Sequence, residues 1–252
     1  MNKILIGKKI ISDSNNVSIN GNKISFLVDD SYEIEYTCSG KYNLTFVVDS
    51  NVSILEYSFD KNLEIDNKYI VNKGNLLITK FYNNYNVNEK IDIDLCSPEA
   101  TVDYKFSNIC RENENYEINV NHKANKTVSN IINKSVALKN SKLHFIINSN
   151  VLEKSIKSIL NQTTRIVTMD ECDTSISPNM FIPIDDVEAK HGSIIGTFKN
   201  DDIFYLMSKG ISYNDTLKLL IKGYILSNMI INHEIRKRIM DIIDTYWRWY
   251  NA

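Results

Sequence analysis

Short segments in which apolar and polar side chains alternate dominate residues 23–197 of this chain. Ile91, Ile93 and Leu95, for example, alternate with aspartates. A period of two is typical of β-strands that bury one face. Asn, Asp, Ser and Gly separate the segments at intervals of roughly ten residues, which is the spacing of an all-β domain. The same alternation recurs at residues 102–106, 116–120 and 143–147.

Periodicity alone does not choose between a sandwich, a barrel and a parallel β-helix. Asn-Gly and Asp-Gly turns, the usual sign of β-hairpins, do not link these segments. The Asn20-Gly21 pair lies apart from them, near the start of the chain. This pattern favours a solenoid, whose strands are joined by open turns.

One segment of the β-rich region follows a helical spacing instead. Leu152, Ile156, Ile159 and Leu160 stand at i, i+4, i+7 and i+8, the positions that share one face of an α-helix. Residues 152–160 are therefore expected to form an amphipathic helix, in conflict with the strands around them.

The hydrophobic period changes from two to 3.6 near Phe198, where a sheet-like body gives way to helices. A second and a third helix are expected, the third from about Asn232 to Tyr250. The chain is thus predicted to comprise a β-rich core, residues 1–198, and a C-terminal helical domain, residues 199–252. The apolar stripe of the second helix contains Leu217, Leu220, Ile221, Tyr224 and Ile225.

Polar residues and a glycine mark the predicted helix ends. Asn200 is placed to cap a short first helix that runs through Met207, and Gly210 lies where a left-handed residue would end it. Ser212 and Asp215 resemble a capping box at the start of the second helix.

Charge and motifs exclude several functions. The chain has 29 Lys and Arg against 31 Asp and Glu, so a basic surface for nucleic acid or an anionic membrane is not expected. Apolar runs fall short of the roughly 20 residues that span a bilayer, and no secretory leader is visible. We therefore expect a cytoplasmic protein whose four cysteines are reduced thiols. Motifs for nucleotide binding, nucleophilic catalysis or zinc binding are absent, which predicts a non-enzyme.

The region that stands out runs through residues 176–196 and continues at 203–212. It contains a proline-led strand, an Asp-Val pair, a His-Gly pair, a run of small residues and then a Phe-Tyr-Leu-x-x-x-Gly-Ile helix. This order resembles the C-terminal signature of the SufB/SufD family, most convincingly over residues 116–224. The matching residues are Pro178, Asp186, Val187, His191, Gly192, Gly196, Phe204, Tyr205, Leu206, Gly210 and Ile211. The upstream residues that fit the looser family pattern are His122, Thr127, Ser129, Phe145 and Gln162.

The resemblance implies a mainly β fold, a right-handed parallel β-helix followed by a small C-terminal α-helical domain. It also implies a non-catalytic subunit of an iron–sulfur cluster assembly complex. Such a subunit pairs with a SufB-like scaffold through the β-helices and docks a SufC-like ABC-type ATPase through its helices. Larger family members carry a helical region ahead of the β-helix, whereas strand-like sequence begins almost at once here, so a short form is expected. The residues expected to face the ATPase are Phe204, Tyr205, Leu206, Gly210, Leu217 and Leu220.

The same resemblance indicates a SufD-like chain. The family's sulfur-accepting cysteine falls at Thr163, and a hydroxyl cannot supply the thiolate that persulfide chemistry requires. Lys190-His191-Gly192 stands where the scaffold member has Glu-His-Glu. His191 is therefore the candidate cluster-assembly residue, because a neutral imidazole could ligate iron or assist sulfide transfer. Gly192 is expected to be a position that a side chain would obstruct.

Two other functions stay open at this stage. The chain could form a homodimeric scaffold that binds a cluster itself, for which Cys172 and His191 are the candidate metal ligands. It could instead be a degenerate structural or regulatory module. No tightly bound cofactor is expected, only a transient iron–sulfur cluster at a subunit interface.

Overall fold

The computed structural model describes residues 2–250, apart from the side chains of residues 247–250. The helices are α1 (Asn200–Ser208), α2 (Tyr213–Leu226) and α3 (His233–Tyr250). The strands are β1 (Asn2–Ile6), β2 (Ile10–Ser12), β3 (Val17–Asn20), β4 (Lys23–Phe26), β5 (Asp30–Tyr36), β6 (Gly40–Tyr42), β7 (Thr45–Val48), β8 (Val52–Phe59), β9 (Asn62–Val71), β10 (Asn75–Asn83), β11 (Asn86–Leu95), β12 (Thr101–Cys110), β13 (Asn113–His122), β14 (Val128–Ala137), β15 (Lys142–Val151), β16 (Ser158–Thr168), β17 (Asp173–Phe181) and β18 (Val187–Gly196).

The strands wind into a parallel β-solenoid of about seven turns, which confirms the predicted mainly β fold with a helical C-terminus. Sheet A has the order β18-β16-β14-β12-β10-β8-β5-β1-β2, and sheet B has the order β17-β15-β13-β11-β9-β7-β4-β3. Each turn contributes one strand to each sheet, and successive turns pair in parallel register. The two sheets face each other across a packed lumen.

The alternating segments place their apolar residues in this lumen. Ile91, Tyr104, Ile118 and Phe145 are all buried in one continuous apolar cluster. Parallel register brings equivalent positions of neighbouring turns into contact, so rings stack along the solenoid axis, as Tyr116 does with Phe145 at 5.0 Å between centroids. The alternation in the sequence therefore reflects one face in the lumen and one face outside.

The first turn is covered by two antiparallel hairpins. β2 folds back on β1, and β3 pairs antiparallel with β4. The β3–β4 loop contains Gly21, whose φ of 59° is the left-handed conformation that tight two-residue hairpins need. These hairpins give the solenoid a cap at its N-terminal end.

The predicted helix over residues 152–160 is wrong. Residues 152–157 form a corner of the solenoid, and β16 begins at Ser158. Leu152 and Ile156 are exposed, and Lys157 has a φ of 58°, which is incompatible with a right-handed helix. Leu160 lies in the lumen as an ordinary inward strand residue. The helical spacing thus arose from joining two exposed corner residues to the start of a strand.

Helices α2 and α3 pack on the outer face of sheet A, and α1 packs against α2. Inward residues of α2 and α3 form a second apolar cluster with outward residues of the sheet, such as Tyr57 and Phe81. Polar contacts fix the arrangement, because the Asn228 side chain donates to the carbonyls of Phe106 at 3.1 Å and Ile132 at 3.2 Å. The buried residues of α2 and α3 are Thr216, Leu217, Ile221, Ile225, Ile235, Ile239 and Ile243.

The helix ends agree in part with the predicted caps. α1 is preceded by Lys199 rather than capped by Asn200, and its N-cap makes no side-chain hydrogen bond. Gly210 has a φ of 84°, which confirms the left-handed stop. The Ser212 hydroxyl accepts from the Asp215 amide at 3.2 Å and donates to its carboxylate, so half of the capping box is formed. None of the described helices is long and apolar enough to span a membrane.

Candidate functional site

The last turn of the solenoid, formed by β17 and β18, is open, whereas the first turn is capped. Every residue of β18 is exposed or half-buried. Positions that face the lumen in earlier turns are buried, yet Ile195 in β18 is exposed although its register partner Ile166 is buried. The lumen therefore ends at an uncovered surface, which we call the open end.

His191 lies at this open end. It pairs in register with Gln162, and the Gln162 side chain lies in the lumen, where its Nε2 donates to Ser149 Oγ at 2.6 Å. Register partners in a parallel sheet point to the same face, so the His191 side chain also faces the lumen. No donor among the described residues reaches the buried Oε1 of Gln162. His191 is exposed, and it is thus available to a group that approaches the open end.

Thr163, the residue expected at the position of the family's sulfur-accepting cysteine, lies on the opposite face of sheet A. It is exposed on the outer face and pairs with Gly192. The expectation that a side chain at Gly192 would be obstructed is wrong, because a Cβ there meets nothing within 4 Å. Within this chain the glycine is therefore not required by packing.

Cys172 and His191 are not brought together. Cys172 lies in the corner after β16 and packs partly against the lumen cluster. His191 aligns with Gln162, six residues before the end of β16, so about 20 Å of strand separates the two at 3.3 Å per residue. Burial, with help from Asp170 and Asp173, raises the pKa of the Cys172 thiol. No group of three His, Cys, Asp or Glu side chains is arranged to hold a metal ion in the described part of the chain.

Three other family-pattern residues, His122, Thr127 and Ser129, form a buried network two turns deeper. The two ring nitrogens of His122 lie 2.7 Å from Thr127 Oγ1 and 2.9 Å from Ser129 Oγ, and Thr127 Oγ1 is 3.0 Å from Ser158 Oγ. Burial lowers the pKa of His122 to about 4, so the ring is neutral at pH 7. With both nitrogens in hydrogen bonds and no access to solvent, His122 joins three strands and serves the fold.

Buried charges farther along the lumen were not anticipated. Lys80 forms ion pairs with Glu56 at 3.0 Å and with Glu89, and all three are buried. Burial, partly offset by Lys80, raises the pKa of Glu89 to about 7. The sequence did hold a signal, because Glu89 is in phase with the inward residues Ile91 and Ile93.

A separate carboxyl, Glu114, is buried in the next turn of sheet B. It accepts hydrogen bonds from the Tyr116 hydroxyl at 2.7 Å and from the Asn108 amide. Burial outweighs these bonds and raises the pKa of Glu114 to about 8. Glu114 is in phase with Tyr116 and Ile118, which again marks it as an inward residue.

The residues expected to face the ATPase differ in exposure. Phe204 and Tyr205 in α1 are 66% and 62% exposed, and α1 contains no buried residue. Gly210 is also exposed, and Leu206 and Leu220 are half-buried. Leu217 is 7% exposed and lies in the cluster beneath the helices, so it is not a surface residue. Of the six, the apolar side chains that stand out from the surface are those of Phe204 and Tyr205.

Fold and site together define a β-solenoid subunit whose last turn is left uncovered. Residues 62–224, from β9 into α2, match the sequence pattern described as "SUF system FeS cluster assembly, SufBD core domain". The chain therefore belongs to the SufB/SufD family of iron–sulfur cluster assembly proteins, as its C-terminal signature predicted. The description of that pattern names iron–sulfur cluster assembly as the process in which the family takes part.

Two relatives agree with this assignment. The chain is 30% identical over 60 residues to an iron–sulfur cluster assembly SufBD family protein of Pyrococcus horikoshii, a match that covers 24% of this chain and 14% of that protein. It is 30% identical over 76 residues to the iron–sulfur cluster assembly protein SufD of Escherichia coli, covering 30% of this chain and 18% of that protein. The matched segments are thus a small part of either relative.

Proposed function

We propose that this chain is a SufD-like, non-catalytic subunit of an assembly complex. It pairs through its open end with a SufB-like scaffold and binds a SufC-like ABC ATPase through its helices. The observation that carries the proposal is the uncovered last turn, where lumen positions such as Ile195 are exposed. Each turn of a parallel solenoid is stabilised by its neighbours, so a last turn with an uncovered face lacks half of these contacts.

The edges of β17 and β18 support the pairing. Long edge strands with unpaired backbone groups invite association with another sheet, and monomeric proteins usually protect them. Here β18 is ten residues long, and the exposed apolar residues Phe181, Ile194 and Ile195 lie on or beside the edge. A second β-helix would supply the missing turn to both sheets at once and bury this surface.

The SufD-like assignment rests on side-chain chemistry. Thr163 replaces the sulfur-accepting thiol, so this chain would not carry the persulfide. His191 faces the lumen of the last turn and would lie at the seam between the two subunits. There its imidazole would bind iron or hydrogen-bond to sulfide while the cluster, which is the cargo, is assembled.

Binding of the ATPase is proposed for the α1 surface. Phe204 and Tyr205 expose two aromatic rings on a helix that buries none of its own residues. Aromatic side chains of this kind are enriched at protein–protein interfaces. A complex of this composition would reside in the cytoplasm, where the four cysteines, all free in the structure, stay reduced.

The homodimeric scaffold is less well supported, because the cysteine and the histidine that it needs lie about 20 Å apart along the strand and so form no metal site within one chain. The test between the two is co-expression with the SufB-like and ABC ATPase proteins of the same organism, followed by native mass spectrometry. We expect one complex that contains all three proteins. A homodimer that excludes both partners would overturn the proposal.

Matched variants sharpen this test. Ile195→Lys places a charge on the open end, whereas Ile11→Lys places it on an exposed isoleucine of the N-terminal hairpin. Ile195→Lys is expected to abolish the complex, and Ile11→Lys to leave it intact. Equal behaviour of the two variants would contradict pairing through the open end.

A further inference from the structure

A row of hydrogen-bonded side chains crosses the outer face of sheet B and ends at the open end. The Asn119 amide donates to Asp92 at 2.9 Å, Asn148 donates to Asn119 at 2.7 Å, and Asn179 donates to Asn148 at 2.9 Å. These four residues lie on β11, β13, β15 and β17, one on each successive turn. We call this row the Asp92 ladder. Its last member stands on the edge strand.

The direction of the ladder is fixed by its first member. An ionised carboxylate only accepts hydrogen bonds, so Asn119 must turn its NH₂ group toward Asp92 and its oxygen toward Asn148. For the same reason Asn148 turns its NH₂ group toward Asn119, and Asn179 turns its NH₂ group toward Asn148. Its Oδ1 therefore points away from Asn148, and no donor among the described residues reaches it. Aligned amides polarise one another, and the negative charge at Asp92 strengthens the acceptor at the far end.

Two other ladders of the chain end on, or next to, a residue that carries a donor. The Asn51 and Asn75 amides extend a row that begins at Asp29, and this row ends when the Thr101 hydroxyl donates to Asn75 Oδ1 at 2.6 Å. A second row starts at Asp103 and runs through Asn130 to Asn161. The next register position after Asn161 is Lys190, which carries only donors, although no hydrogen bond joins the two side chains in the described part of the chain.

A further ladder has no hydrogen-bonding side chain at its next register position and serves as a comparison. Asn121 donates to Asp94 at 2.9 Å, and Asn150 donates to Asn121 at 2.9 Å. The next register position is Phe181, which has no hydrogen-bonding side chain. This row stops on β15, one strand before the edge, so its last amide does not reach the open end.

We propose that Asn179 sets the register of the partner. This inference rests on the proposed function: the SufB-like subunit adds a strand beside β17 and presents a donor side chain, an amide, a hydroxyl or a cation, to Asn179 Oδ1. The Asp92 ladder then continues across the seam. A slip of one residue would turn the donor to the other face of the strand and leave Oδ1 covered but unpaired, so the contact selects one register.

Two substitutions distinguish the loss of the proposed Asn179 contact from the loss of a nearby ladder amide. Asn179→Ala removes the acceptor that faces the partner, whereas Asn150→Ala removes a ladder amide of the same size from the adjacent strand. Affinity for the purified SufB-like protein is measured by isothermal titration calorimetry. Asn179→Ala is expected to weaken binding about ten-fold, and Asn150→Ala to change it less than about two-fold, as loss of one interfacial hydrogen bond implies.

A third variant tests the chemistry. Asn179→Asp keeps an acceptor toward the partner and loses only the hydrogen bond that Asn179 donates to Asn148. This bond lies within the chain and is lost in both the free and the bound state, so its loss should not change the affinity. The variant is expected to bind at least as tightly as the wild type, and thermal unfolding of each free variant verifies that it is folded. If Asn179→Ala binds like wild type, or if Asn179→Asp binds as weakly as Asn179→Ala, the inference is wrong while the pairing stands. If wild type itself does not bind the SufB-like protein, the proposed function and the inference fall together.

Discussion

Three carboxyl groups, those of Glu56, Glu89 and Glu114, lie in the lumen among apolar and tyrosine side chains. Lys80 compensates one charge of the Glu56–Glu89 pair, and Glu114 has only neutral hydrogen-bond donors. Burial without a cation in direct contact favours the protonated carboxylic acid, which is why the pKa of Glu114 rises further than that of Glu89. The interior of this chain is therefore sensitive to pH.

Replacement of Glu114 by Gln should remove part of this sensitivity. The pKa of Glu114 is about 8 in the folded chain and near the ordinary value of 4.5 in the unfolded chain. Between these values the folded state holds a proton that the unfolded state has released, so stability falls as pH rises. We expect wild type to lose on the order of 3 kcal/mol relative to Glu114→Gln between pH 5 and pH 8.

Urea unfolding of both proteins at the two pH values measures this difference. His122, whose pKa is lowered to about 4, changes stability in the opposite direction between pH 4 and 6.5, but it does so equally in both proteins. The comparison therefore isolates Glu114. Parallel stability curves would show that Glu114 is ionised throughout.

At the residue level the sequence identified candidate residues better than it identified their contacts in the fold. His191 was found through the family signature, and its place on the last turn was not visible. Its alignment with Gln162, and its place on the opposite face of sheet A from Thr163, depend on the register between turns that are about 30 residues apart in the chain. Glu114 was missed because a single acidic residue in an alternating segment looks like a surface residue unless its phase is compared with that of Tyr116.

Among the elements, α1 is unusual because its apolar side chains are on the outside. α2 and α3 bury a stripe against sheet A, whereas Phe204 and Tyr205 in α1 point to solvent. A short helix is not stable by itself, and exposed aromatic side chains add nothing to its packing. Phe204 and Tyr205 are therefore better explained as part of a binding surface.

A double substitution tests this surface. Phe204→Asp together with Tyr205→Asp should abolish capture of the ABC ATPase, because two exposed aromatic contacts are replaced by charges. The melting temperature of the free chain should change by no more than about 2 °C, since neither ring is buried. Co-purification with the tagged ATPase measures the first effect, and calorimetry measures the second.

Two controls accompany that variant. Ile11→Asp, at the opposite end of the solenoid, should still capture the ATPase. Leu217→Asp should instead unfold the helical region, because a charge would enter the apolar cluster beneath α2. Capture of the ATPase by the double variant at wild-type levels would remove α1 from the interface.

Strands and helices were predicted well where the hydrophobic period was regular, as in β11, β13 and α2. The failure at residues 152–160 has a local cause. Corners of the solenoid use left-handed residues other than glycine, such as Lys126 and Lys157, and these give no sequence signal for a turn. Apolar residues on such a corner then combine with the next strand into a false helical pattern.

The whole molecule is a stack of turns with one capped end and one open end. Each turn contacts only its neighbours, so local stability should decrease toward the end that lacks a neighbour. The sequence did not reveal the stack as a repeat, because the turns differ in length. Ile78 pairs with Ile54, 24 residues earlier, and Gln162 pairs with Ile131, 31 residues earlier.

Hydrogen exchange should follow this gradient. We expect amides of β18 to exchange fastest among the strands of sheet A and amides of β12 and β14 to exchange slowest. Addition of the SufB-like protein should slow exchange in β17 and β18 and leave the β1–β2 hairpin unchanged. Mass spectrometry of peptides from both ends measures this, and protection of the hairpin instead would place the partner at the wrong end.

The open last turn also bears on how a cell would keep these subunits in proportion. An uncovered edge strand offers extended, unprotected backbone, the conformation that proteases bind. A copy without its partner should therefore be degraded sooner than a copy in the complex, because the partner supplies the missing neighbour. The abundance of the subunit would then follow the abundance of its partner without any dedicated regulator.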